Sequence, residues 1–216
     1  MSTETMSDIK SRGFWRVMLR PALFQADRIP SLSDCKKLVA DCKVSLRGWD
    51  YPHYDTVISG RDYIWSDTNW GSKKEVWRFY QSGQFANYFA CPEDWWKEDP
   101  ITSWEAKQYV SGYGLEVLMA LFRLTEIYEF AARLTQKGAF GDELTLSVRL
   151  QGMLGRRLIT LHGMLCGYSK GSTGVTLENQ PVHSTFYAVN RGNCWKGGYK
   201  GLLNFYVSET TLTQDR

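Results

Sequence analysis

A chain of 216 residues with a hydrophobic share of 43% can bury one generous core, and it is too short for two full domains. Its formal charge of +3 is too mild to imply a nucleic-acid partner by itself, and basic residues between Lys137 and Lys200 are dispersed rather than clustered. Five cysteines, an odd number with no C-x-x-C pair, exclude a zinc ribbon and a secreted disulfide framework.

Residues 1–12 are polar, lack an apolar signal-peptide core and read as a flexible leader. Phe14–Arg20 alternates Trp15, Val17 and Leu19 with Arg16 and Arg20, a half-buried strand that Pro21 stops. Ser31 then offers an N-cap to a helix that buries Cys35, Leu38, Val39 and Cys42 at helical spacing. A second strand, Val44–Arg47, runs into Gly48-Trp49-Asp50-Tyr51-Pro52-His53. Asp62–Trp65 makes a third short strand, and Asp67–Ser72 reads as a turn-rich connection.

Glu75–Gln81 and Gln84–Ala90 are both rich in strand formers, and Ser82-Gly83 between them supplies the positive φ of a tight hairpin. A helical turn follows at Glu93–Lys97, and Trp104–Ser111 is either a strand or the start of a helix. Leu115–Lys137 is a long helix closed by Gly138, with apolar groups nearly surrounding its first half. Glu143–Leu150 alternates cleanly as a strand. Beyond Leu161 no period of 2 or 3.6 is sustained, although Leu202–Val207 looks strand-like.

The expected architecture is α+β: a mainly antiparallel sheet of about five strands, with one long and one shorter helix packed on it. Residues 13–160 carry this domain, and residues 161–216 form an irregular C-terminal extension. The longest apolar-rich run, Leu115–Leu124, contains Glu116 and Arg123 and falls well short of the ~20 residues of a membrane span. A cytoplasmic protein with reduced thiols is the expectation.

Candidate chemistry gathers at the end of the second strand. Arg47, Asp50 and His53, with Arg78 from the hairpin and framed by Trp49 and Tyr80, form a polar ligand or partner site. The plainer reading is that Asp50 caps a turn, Arg47 pairs with it and His53 lies on the surface. An enzymatic alternative uses Asp50, His53, Glu126 and Glu129 as a hydrolase or nuclease centre, and its plainer counterpart makes the glutamates anchors that tie the helix to Arg47 or Arg78. A third alternative is a subunit of an assembly or homo-oligomer, docking through Trp65, Trp70, Trp95 and Trp96.

His53, His162 and His183 are scattered, and His162 with Cys166 is a bare pair, so no metal or cofactor is expected. Gly167–Gly174 has phosphate-loop residue types without the phosphate-loop spacing.

Three blocks, Arg47–His53, Trp77–Phe85 and Thr125–Leu134, resemble blocks shared by a family of uncharacterised bacterial proteins, over roughly Phe14–Leu158. Some members of that family sit beside or fused to Schlafen-like DNA-binding domains. The resemblance implies a non-catalytic bacterial binding or sensing module with protein, nucleic-acid or defence-associated partners, and it carries no reaction.

Overall fold

The computed structural model describes residues 3–100, 108–141, 143–159, 172–176 and 184–188. The fold is α+β, with the strands β1 (Phe14–Pro21), β2 (Ile58–Ser59), β3 (Tyr63–Trp70), β4 (Lys73–Tyr80), β5 (Phe85–Ala90), β7 (Leu144–Gln151) and β10 (Ser184–Ala188) in one antiparallel sheet. Their order is β10-β7-β1-β5-β4-β3-β2, so five long central strands carry the expected sheet and two short strands flank it. A smaller sheet joins β6 (Gly114–Glu116) in parallel with β8 (Arg157–Ile159), and β9 (Ser172–Thr176) antiparallel to β8.

Two α-helices cover one face. The N-cap hydroxyl of α2 (Leu32–Cys42) is Ser31, which accepts from the Asp34 amide, and Cys35, Val39 and Cys42 are buried as their spacing requires. The long helix α3 (Val117–Gln136) ends where Gly138 takes φ +79° and its amide bonds the Thr135 carbonyl. The main core packs Trp15, Val17 and Leu19 of β1, Trp77 and Phe79 of β4 and Phe85 of β5 against Ile127, Phe130 and Leu134 of α3.

The opposite face carries a correction. Thr3–Ser11 is not a flexible leader but a helix, α1, that buries Ile9 beside Val76, Ala90 and Trp95. Its polar residues also explain why Asp67–Trp70 continues β3 rather than turning. Thr5 Oγ1 donates to Asp67 at 3.4 Å, Asn69 donates to Asp8 at 3.4 Å and Lys74 meets Asp8 at 3.1 Å, so polar side chains that would otherwise favour a loop find partners on a strand.

A second correction falls on Val44–Arg47, where only the isolated bridge Val44↔Tyr51 forms. The chain folds back within six residues, with Gly48 at φ +72°, and Leu46 is left in solvent. Two strands, β9 and β10, lie in the segment read as irregular and pair with β8 and β7. The expected strand Leu202–Val207, the His162/Cys166 pair, His183, the first half of Trp104–Ser111 and most of Gly167–Gly174 lie outside the described residues, and the described half, Gln108–Ser111, is turn rather than strand or helix.

The 74–91 hairpin forms as read, with β4 and β5 paired from Glu75↔Phe89 to Phe79↔Phe85. Gly83 sits at φ +83°, and a Cβ there would lie 2.5 Å from the Ala139 carbonyl oxygen. Gly83→Ala is therefore expected to cost about 2 kcal/mol, combining left-handed strain with a backbone clash. A thermal melt unchanged from the parent would show that the turn readjusts freely.

Candidate functional site

Strand parity decides which of the proposed site residues can meet. On β4, Glu75, Trp77 and Phe79 face the helical core, so Arg78 and Tyr80 project to the other side of the sheet. There Arg78 Nη1 donates to the Tyr80 hydroxyl at 3.1 Å, and its guanidinium lies 4.3 Å over the Tyr63 ring. The loop bearing Arg47, Trp49, Asp50 and His53 stays on the core side, where the Trp77 indole donates to the His53 carbonyl at 2.7 Å. The expected six-residue site is thus two clusters separated by the sheet.

Within the loop the charges are already engaged. Arg47 clasps Glu126 through Nε at 3.2 Å and Nη2 at 2.7 Å, and the Glu126 side chain is 0% exposed. This is the helix anchor, and Arg47 does not pair with Asp50. Asp50 meets Lys43 at 2.6 Å, while Glu129 lies on the exposed side of α3 and pairs with Arg133 at 2.8 Å. The four groups of the enzymatic alternative, Asp50, His53, Glu126 and Glu129, therefore do not open onto a shared vacant position: each carboxylate carries its own cation. Among the described residues no three His, Cys, Asp or Glu side chains are placed to hold a metal.

What the loop does build is an aromatic shelf. The Trp49 ring stacks on His53 at 4.0 Å and 11°, and lies parallel to Trp70 at 6.3 Å and 10°. Lys73 Nζ stands 3.8 Å from the Trp49 ring centroid and 5.2 Å from that of Trp70. Trp70 and Lys73 come from the β3–β4 turn, where Gly71 at φ +54° lets the hairpin reverse. Trp70 is 45% exposed, whereas Trp95 is buried and Trp65 and Trp96 are half-buried, so the four-tryptophan docking surface does not form.

Behind the shelf lies an inverted stretch of α3. Its C-terminal half buries Ile127, Phe130, Ala131 and Leu134, and the 3.6-residue period carries that stripe back through Glu126 and Arg123. Two charges are driven inward, and Met119, Leu121 and Phe122, expected within apolar stripes, stand exposed. Arg123 Nη1 lies 3.6 Å from Glu126, its guanidinium sits 5.0 Å over Phe89, and among the described residues its Nε and Nη1 have no hydrogen-bond partner. Beside it Glu75 accepts from Asn87 at 2.5 Å and from the His53 amide at 3.3 Å.

Burial sets the protonation of this corner. It pushes the Glu75 carboxyl up to about 7 in spite of Arg123 and the Asn87 amide. It lowers the pKa of His53, against the pull of Asp55 and Asp50. It also lowers that of Lys73, a shift that Asp99 opposes and that Arg123 and Arg47 reinforce by repulsion. Three cations crowd one corner, and a carboxylate among them, Glu126, is shared by Arg47 and Arg123. The sequence reading missed Lys73, Glu75 and Arg123; the one signal for them was an arginine set inside the apolar run Leu115–Leu124.

No family model, curated protein or solved structure matches the chain, so the site is read from its own geometry. Among the described residues no helix is long and apolar enough to cross a membrane.

Proposed function

We propose that the protein is a non-catalytic binding or sensing module, and that its shelf of Trp49, Trp70 and Lys73 takes single-stranded nucleic acid. The observation that carries this reading is the Lys73 ammonium, held 3.8 Å over an indole next to an exposed tryptophan, with Asp99 acting on it electrostatically but no carboxylate within ion-pair distance among the described residues. A cation without a direct ion-pair partner among the described residues, beside a stacking surface, suits the alternation of phosphate and base along a strand. The bacterial origin, the cytoplasmic setting and the defence-associated partners rest on the resemblance of the three blocks and on the reduced-thiol composition.

Titration of a short oligothymidylate against intrinsic tryptophan fluorescence at low salt tests the reading. Binding should quench emission, and Trp70→Ala should weaken it about tenfold through the loss of one stacked base. Lys73→Ala should flatten the dependence of affinity on salt by about one released counterion. Absence of binding at low salt, or full affinity in the Trp70→Ala, Lys73→Ala double variant, would remove the shelf from the function.

A further inference from the structure

The shelf leads to a recess. A cavity of about 10 Å³ is lined by Trp49 and Lys73 of the shelf and by Glu75, Phe89 and Arg123, the last three buried. Arg123 is 8% exposed and lines this cavity, and among the described residues its Nε and Nη1 have no acceptor at hydrogen-bond distance, the nearest carboxylate being Glu126 at 3.6 Å from Nη1. Buried donors without acceptors cost free energy until an acceptor arrives, and charged donors cost more. The volume suits one oxygen-sized atom.

We propose that this recess is a subsite for a terminal phosphate on the strand held by the shelf. The inference rests on the shelf reading for its macromolecule, and its chemistry is carried by Arg123 with Lys73 beside it. An internal phosphodiester spreads one negative charge over two non-bridging oxygens, whereas a terminal phosphate monoester spreads close to two charges over three free oxygens. The monoester is therefore the stronger acceptor for two cations at once, leading with one oxygen and keeping the others free. One oxygen enters the recess to accept from Arg123, and the remaining terminal oxygens stay at the mouth within reach of the Lys73 ammonium. Arg47 is excluded from this role because its guanidinium is spent on Glu126.

The experiment compares oligothymidylates bearing a 5′-phosphate, a 3′-phosphate or hydroxyls at both ends by fluorescence anisotropy, with inorganic phosphate as competitor and as sole titrant of tryptophan emission. One phosphorylated end should bind about tenfold more tightly than the hydroxyl-ended strand, and inorganic phosphate should abolish that increment. Arg123→Gln should remove the increment while leaving the hydroxyl-ended affinity intact, and Trp70→Ala should weaken all three strands alike. Equal affinity for phosphorylated and unphosphorylated ends in the parent protein overturns the subsite, and this comparison needs no variant to fold. If no strand binds while inorganic phosphate still shifts tryptophan emission, the subsite stands for a free phosphate and the nucleic-acid reading falls.

Discussion

Asp94→Ala is expected to destabilise the protein by about 3–5 kcal/mol, the largest effect of any single substitution proposed for it. The Asp94 carboxylate receives both Arg156 terminal nitrogens, at 2.8 and 2.6 Å, and the pair is almost wholly buried. It also accepts from the Gly13 amide at 2.9 Å and the Gly112 amide at 2.7 Å, so one side chain pins the start of β1, the 108–113 loop and the turn after β7. Truncation leaves a guanidinium under the surface with its charge uncompensated, which costs more than the pair ever contributed. Urea unfolding measures the loss, and a drop below about 1 kcal/mol would mean that water reaches Arg156. In the double variant Asp94→Ala, Arg156→Leu the penalty should be smaller than in Asp94→Ala alone, because the stranded charge is gone.

The same arithmetic of stranded groups explains what the sequence disclosed and what it hid. The hairpin was legible because Gly83 and the flanking β-formers act within a dozen residues. The long helix was legible from its period and its terminal glycine. Helix α1 was hidden because its apolar content is little more than Met6 and Ile9, and the polar remainder becomes comprehensible only once Asp67, Asn69 and Lys74 are opposite it. Local pattern cannot report a partner more than fifty residues away.

The site shows the same division. Trp49 and His53 stood out in the sequence because a tryptophan, an aspartate and a histidine crowd one turn, and they do form the shelf. Arg78 and Tyr80 belong to the hairpin expected to meet that loop, and the two-residue period of β4 sends them across the sheet. Helix α3 is the sharpest case. Its hydrophobic residues alone predict Met119 and Phe122 inside, but the C-terminal half of the helix fixes its rotation and brings Arg123 and Glu126 inward instead. A helix turns as one body, so a buried arginine can be imposed from three turns away.

Glu75→Gln is expected to flatten the dependence of stability on pH. The Glu75 carboxyl titrates at about 7 in the folded protein against 4.5 for the free group, so the native state holds its proton more tightly than the unfolded chain does. This contribution is fully present below the unfolded value and is lost as pH rises through the folded one, amounting to about 3 kcal/mol across that window. Glu93, buried and likewise pushed to about 7, adds a second loss of the same sign, while His53, lowered by burial, loses stability in the opposite direction as pH falls. The glutamine variant keeps the oxygen that accepts from Asn87 and carries no charge to desolvate. Relative to the parent it should gain stability from about pH 5 to about pH 8 in urea unfolding, with the Glu93 slope remaining. Parallel profiles would show Glu75 ionised throughout and paired with Arg123. A neutral Glu75 has the opposite consequence for the recess: below its titration the guanidinium of Arg123 still faces Glu126 but no second carboxylate charge from β4, and an incoming oxyanion meets less repulsion.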